Sequence, residues 1–268
     1  MLALAPASGG TVGASPAGPY RAGQVVTLTA APHPGQLLLG WRYGPPMAAP
    51  LGGVPLTAWA NPLALTLAAD LTVTPVFAPI PIFGDVAPGS AAHGAVTRLA
   101  ALGVIRGYTN GNYGPDDTTQ RAQMAALIAR AMGWEQEDHG NPFGDGGGLD
   151  PNLWRNVGTL AHYRVAFGYD PTHFAPTDTV TQAQTISFIT RAMVAKGYWT
   201  RATTDQPGLF PNVTVASGHR WDLLTYYAYV GAPPDSAPTA AWASWQAPAT
   251  RGWFARTLHQ ALDGLYGR

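Results

Sequence analysis

The apolar positions change character near residue 79. Before it they come in short runs without helical spacing. Val25-Val26-Thr27-Leu28-Thr29 and Leu71-Thr72-Val73-Thr74 alternate in part. Gln36-Leu37-Leu38-Leu39-Gly40-Trp41 follows the turn Pro34-Gly35, and Leu63-Ala64-Leu65-Thr66-Leu67 follows Asn61-Pro62. Short runs between turn residues predict strands, so residues 1–79 read as a small all-β domain. Pro75, lacking an N–H for a ladder, suits an edge or a bulge. Ala78-Pro79-Ile80-Pro81 reads as a stiff linker.

Beyond the linker the spacing turns helical. Ala95, Val96, Leu99, Ala100 and Leu102 share one stripe, which Gly103 and Gly107 interrupt. Thr109-Asn110-Gly111-Asn112 is a turn. A second helix is predicted from about Arg121 to Met132, with Met124, Leu127, Ile128 and Met132 on its apolar face.

This helix–loop–helix pattern recurs. Gly107-Tyr108 returns as Gly168-Tyr169, Tyr113 as Phe174, Pro115 as Pro176, Ala122-Gln123 as Ala183-Gln184, and Arg130-Ala131-Met132 as Arg191-Ala192-Met193, all with one offset. A third copy is weaker. Phe210-Pro211-Asn212-Val213 parallels Phe83-Gly84-Asp85-Val86, and Thr250-Arg251 parallels the start of the second helix. Its loop, around Ala232-Pro233-Pro234-Asp235, has lost the Gly-Tyr pair. Two short helices cannot enclose a core, so three copies must pack on each other, around a pseudo-threefold axis. The expected fold is therefore multidomain: a small all-β N-terminal domain (1–79), then an all-α module of three helix–loop–helix repeats at 80–139, 140–206 and 207–268.

The repeat resembles the S-layer homology family. That family's Phe-x-Asp-Val opening stands here as Phe83-Gly84-Asp85-Val86. Its Gly-Ile-Ile-x-Gly-Tyr helix end stands as Gly103-Val104-Ile105-Arg106-Gly107-Tyr108, its Phe-x-Pro as Tyr113-Gly114-Pro115, and its Thr-Arg-Ala-Glu as Gln120-Arg121-Ala122-Gln123. The resemblance implies non-covalent attachment to the cell surface by binding secondary cell-wall polysaccharide, often through a pyruvylated sugar held between repeats. The implied glycan-binding residues are Arg121, Arg251, Asp85, Gly107, Tyr108 and Asn110. The second copy departs from the family with Gln182 at the arginine position, the third with Asn212 at the aspartate, and the first with Ala91 where a tryptophan is common. One or two working grooves are therefore expected. Residues 1–79 resemble the divergent B-repeats of bacterial surface proteins through Gly9-Gly10-Thr11-Val12, Tyr20–Ala30, Gly40-Trp41 and Thr72–Phe77, which implies a spacer.

The two arginines have a physical reading of their own. An arginine in the first helical turn opposes the macrodipole and costs up to about 1 kcal/mol. A nearby anion reverses that cost, since helix-start N–H groups and a forked guanidinium make a carboxylate site. The competing reading is an internal ion pair of Arg121 with Asp85 or Asp117. Thr181-Gln182-Ala183-Gln184 fits a capping box. In the first copy Thr119 is expected to cap in place of Gln120, and Thr250 caps the third.

Composition narrows the rest. Only 11% of residues are charged and the net charge is zero, which removes the electrostatic footing for nucleic-acid binding. Lys196 is the only lysine, and Glu135 and Glu137 are the only glutamates. There are no cysteines, so disulfides and thiolate chemistry are excluded. No apolar run approaches a transmembrane span. Met1-Leu2-Ala3-Leu4-Ala5-Pro6 lacks the positive n-region and apolar length of a signal peptide, so an extracytoplasmic role implies that the chain is a fragment or has a displaced start.

No metal or cofactor is expected. Thr109–Asn112 lacks the closing carboxylate of a calcium loop, the histidines show no ligand spacing, and neither a nucleophile elbow nor a phosphate loop is present. Asp145 and Asp150 lie among glycines that cannot split their pKa values for acid–base work, and Asp145 reads as the repeat-opening acid. Trp221, Tyr226, Tyr227, Tyr229, Trp242, Trp245 and Trp253 suit a compensating core better than a sugar platform. The chain reads as a binding module and not an enzyme. Two alternatives remain: a self-assembling surface protein that binds no glycan, and the anchor of a wall-active enzyme whose catalytic domain lies upstream of Met1.

Overall fold

A computed structural model describes residues 1–44, 54, 56–210, 213–235 and 245–266. A β region with two small sheets precedes a helical region of six helices. The strands are β1 (Leu2–Leu4), β2 (Gly10–Ser15), β3 (Val25–Pro32), β4 (Gln36–Arg42), β5 (Leu63–Thr66) and β6 (Leu71–Pro79). The first sheet has the order β1-β6-β4, with β1 parallel to β6 and β4 antiparallel; the second has the antiparallel order β2-β3-β5. Alternation along β3 and β5 points Val26, Leu28, Ala30, Leu63 and Leu65 into one core with Leu38, Trp41 and Val73. Trp41 is buried there and donates its indole N–H to the Ala60 carbonyl at 2.7 Å. The segment read as a linker is partly strand: β6 continues to Pro79, and the Ile80 N–H reaches the Gly35 carbonyl. Pro75 lies past the end of the β1 pairing, where no ladder needs its missing N–H on that side.

The helices are α1 (His93–Ala101), α2 (Arg121–Ala131), α3 (Pro151–His162), α4 (Gln182–Ala195), α5 (Arg220–Val230) and α6 (Arg251–Tyr266). Ala95, Val96, Leu99 and Leu102 are buried on or just past α1, and Met124, Leu127, Ile128 and Met132 on or just past α2, as their spacing predicts. Packing runs from one helix pair to the next: α2 lies on α3, α4 on α5, and α6 on α1.

The centre of this arrangement is a ring of three backbone hydrogen bonds. Thr119 N–H donates to Ala249 O (3.1 Å), Ala249 N–H to Val180 O (2.9 Å), and Val180 N–H to Thr119 O (2.9 Å). All three residues are buried, so each bond must be made inside the protein. A second ring surrounds it, in which the first N–H of each following helix is accepted by another pair's loop: Arg121 by Asp178, Gln182 by Ala247, and Arg251 by Asp117. Helix starts normally leave these donors open. The capping box at Thr181 and Gln184 forms in both directions. The expected cap at Thr119 does not form. Gln120 takes that position, its N–H accepted by the Gln123 side chain, while the Thr119 hydroxyl is buried with no partner among the described residues. Thr250 caps α6 by accepting the Trp253 N–H.

Of the third copy's aromatics, Tyr226 and Trp253 belong to the core as expected and Trp221, Tyr227 and Trp245 pack on it half-buried, whereas Tyr229 is exposed and stacks on the Trp199 ring; Trp242 and Asn212 lie outside the described residues. The β region docks on the bundle through Trp59. Its ring stacks on His259 at 5.3 Å and lies under the Arg98 guanidinium, and its indole N–H donates to Asp263 at 2.7 Å. Arg98 in turn donates to the Leu39 carbonyl at 2.6 Å.

Candidate functional site

Arg121 and Arg251 open α2 and α6, and each reaches into the loop of another helix pair. Arg121 donates Nε to the Phe174 carbonyl and Nη2 to the Phe167 carbonyl, both at 2.8 Å. Its guanidinium lies 4.4 Å from the Phe174 ring centroid and 4.8 Å from that of Tyr169. Arg251 repeats this. Nε goes to Tyr113 O and Nη2 to Arg106 O, both at 2.8 Å, over the rings of Tyr113 and Tyr108. The contacted positions correspond under the repeat offset, so the two sites are copies of one device.

This geometry corrects two expectations. Among the described residues neither arginine bonds to a carboxylate, and Arg121 is not the ion-pair partner of Asp85 or Asp117. Asp85 instead accepts the N–H groups of Tyr113 (2.8 Å) and Gly114 (2.7 Å), and Asp117 accepts the Tyr108 hydroxyl (2.7 Å). Nor do the helix starts offer two open N–H groups to a ligand. Those of Arg121 and Ala122 are taken by Asp178 and Pro176, and those of Arg251 and Gly252 by Asp117 and Pro115. The cost of a cation in the first turn is offset by carbonyl dipoles and aromatic faces.

Five of the six candidate residues gather at one loop. Asp85 ties its base, and although burial pushes the Asp85 carboxyl up, the Tyr113 and Gly114 N–H groups outweigh this and hold it below the usual carboxylate range. Gly107 is glycine because a Cβ would meet the Phe83 ring at 2.5 Å and the Asn112 carbonyl at 2.7 Å. Tyr108 forms a half-exposed wall, and Asn110 closes the turn by accepting the Asn112 N–H. Arg251 holds this loop from α6. Arg121 stands apart, at the equivalent loop of the second pair. There Asp145 accepts from Phe174 and Ala175 as Asp85 does from Tyr113 and Gly114. Asp145 is thus the repeat-opening acid, and Asp150 caps α3. Gln182, in the arginine position, faces the third loop, which lacks Gly-Tyr; the two losses fall at one junction.

The Arg121 site opens into a groove of about 270 Å³ lined by Phe167, Tyr169, Ser187, Arg191 and His219. The Ser187 hydroxyl and His219 Nδ1 lie 2.8 Å apart. Burial pushes the His219 imidazole down, with Arg191 acting in the same direction. Arg121 Nη1 makes no hydrogen bond among the described residues. Arg191 was visible in the sequence as a repeated position. Ser187 and His219 were not, because they meet only across α4 and the start of α5. The histidines are also less scattered than their spacing suggests, since His139 and His162 stack at 3.8 Å. Among the described residues no group of three or more side chains could hold a metal ion, and no helix is long and apolar enough to cross a membrane.

A β region followed by helix pairs with interlocked loops and arginines defines a two-part repeat module, and comparison with known proteins divides the chain in the same way. Residues 82–125 and 142–186 match the S-layer homology domain, and residues 1–81 match the divergent InlB B-repeat domain. The helical region thus holds two matched S-layer homology repeats, behind a segment matched to the B-repeat domain. It is similar to the Middle cell wall protein of Brevibacillus brevis, at 35% identity over 39% of this chain and 10% of that protein. It is similar to the Surface layer protein of Brevibacillus choshinensis, at 31% identity over 48% of this chain and 11% of that protein. The Outer membrane protein SlpA of Deinococcus radiodurans is 38% identical over 29% of this chain and 7% of its own length. The chain spans about a tenth of the length of these curated relatives.

Proposed function

We infer that this chain holds a bacterial surface protein to the cell wall by non-covalent binding of an acidic wall glycan. The three helix pairs act as three repeats about a pseudo-threefold axis, with domain limits near 79, 139 and 206, and the B-repeat domain serves as a spacer. The observation that carries the reading is the Arg121 groove. A guanidinium is fixed there at two of its donors against the rings of Tyr169 and Phe174, and its Nη1 makes no hydrogen bond among the described residues; the exposed rings of Phe167 and Tyr169 line the groove it faces. A planar cation between aromatic walls suits a sugar bearing a carboxylate, such as a pyruvyl ketal. By the equivalence of the two copies, we assign Arg251, with Asp85, Gly107, Tyr108 and Asn110, to a second glycan site. The third junction, at Gln182, lacks the cation.

A purely structural role is the second reading, favoured by the burial of both arginines and the loop carbonyls they hold. Sedimentation with purified cell-wall sacculi separates the two. Arg121→Ala with Arg251→Ala is expected to weaken binding about tenfold or more, from loss of charge-assisted contacts. Tyr169→Ala removes an exposed groove wall without touching the pinned carbonyls, and it should weaken binding while lowering the melting temperature far less than the double arginine variant does. Unaltered sedimentation of both variants overturns glycan binding in favour of the structural role.

A further inference from the structure

A second open pocket of about 330 Å³ adjoins the Arg121 groove and shares Phe167 and Arg191 with it. Its charged lining is Arg164, Arg191, Arg201 and Asp222. The Asp222 side chain is completely buried; its Oδ2 accepts from Arg191 at 2.8 Å, while its Oδ1 pairs with Arg201 Nη2 at 3.2 Å by charge alone, without hydrogen-bond geometry. One carboxylate thus orients two guanidinium groups and leaves one positive charge in excess. Arg164 adds another. Its exposed side chain makes no hydrogen bond or ion pair among the described residues.

The backbone at Arg164 singles it out. Its φ is +56°, in the left-handed region that disfavours side chains. The corresponding residue of the first copy is Gly103, with φ +75°. The second copy therefore places an arginine where the turn asks for glycine, and Phe167 where the first copy has Arg106. These two departures build the pocket. The Arg191 guanidinium lies 4.9 Å from the Phe167 ring centroid, and that ring, more than half exposed, divides the pocket from the groove. Strain kept at an exposed, unpaired cation points to use of that cation.

We propose that this pocket binds a second acidic group of the wall glycan. The ligand class is then a polyanionic oligosaccharide carrying carboxylate or phosphate groups on neighbouring sugars, and not one with a single charged sugar. The proposal rests on the glycan reading of the Arg121 groove. Arg121 takes one acidic group, Arg164 and Arg201 take the next, and the Phe167 face supports the ring between them.

The test uses the full chain, inorganic phosphate and wall sacculi. In a phosphate titration followed by NMR, the Nε–H signals of Arg164 and Arg201 should move and saturate. Arg164→Gly relieves the left-handed strain, so the variant should melt no lower than the parent. Its phosphate and sacculus affinities should nevertheless fall about fivefold, the loss of one exposed ionic contact, and Arg164→Lys should restore part of both. An Arg164→Gly variant that binds phosphate and sacculi like the parent overturns the proposal. Sacculi that need Arg121, together with a pocket that phosphate does not saturate, overturn the second site alone. Sacculi that fail to bind the parent chain overturn the glycan reading and this proposal together.

Discussion

At the scale of the residue, the arginines and Thr119 show how position decides what a side chain does. Arg121 and Arg251 spend two donors each on the carbonyls of a neighbouring loop, so what they offer a ligand is one remaining edge. Thr119 sits at the hydrogen-bonded ring, and its backbone is indispensable there while its hydroxyl has no partner among the described residues. A buried hydroxyl left unpaired is a desolvation cost without return. Thr119→Val keeps the shape and both ring bonds, and is expected to stabilise the protein by about 1 kcal/mol in chemical denaturation. A lower midpoint would mean that the hydroxyl is satisfied by ordered water.

At the scale of the element, the two matched copies differ at two positions where the backbone turns left-handed. Gly103 and Gly114 of the first copy, at φ +75° and +70°, become Arg164 and Ala175 of the second, at +56° and +55°. Ala175 contributes its N–H to Asp145 and its side chain nothing comparable to the arginine's charge. Ala175→Gly should therefore raise stability by about 1 kcal/mol, measured as an increased melting temperature. The helices were legible because their apolar residues recur at helical spacing and the copies recur at one offset. The strands β3 to β6 were legible from alternation and turn residues. β1 was not, since Leu2–Leu4 is short and pairs with β6 from the far end of the domain. The site was half legible. Its arginines and Gly-Tyr loops carry a motif, but the fact that each arginine serves a different copy's loop is a property of the assembled ring and of no local segment. Arg164, Arg201 and Asp222 left no signal at all, because they converge only in three dimensions.

At the scale of the whole molecule, the two regions are joined through a titratable contact. His259 lies between the Trp59 face of the β region and the bundle, and burial pushes its imidazole below the ordinary value, with Arg98 acting the same way and Asp263 against it. A base whose folded pKa is depressed binds fewer protons in the folded state. Stability is therefore complete above its unfolded value near 6.5 and is lost as pH falls through that value toward the folded one. His219 in the Arg121 groove has the same sign. Acidification from pH 7.5 to 5 should lower the melting temperature and increase amide exchange around Trp59. His259→Phe keeps a ring against Trp59 without the titration, and should reduce that dependence to the share due to His219. An equal pH response in the variant would place the sensitivity elsewhere.

The closed ring also orders events in time. The loop at Tyr113 is held by Arg251, 138 residues further along the chain. A ribosome adding about 5–20 residues per second takes many seconds to make the residue that completes it. The second loop, held by Arg121 from behind, meets its partner as soon as it emerges. The groove at the Arg121 junction is therefore assembled first, while the one at Tyr108 waits for the last helix to be made.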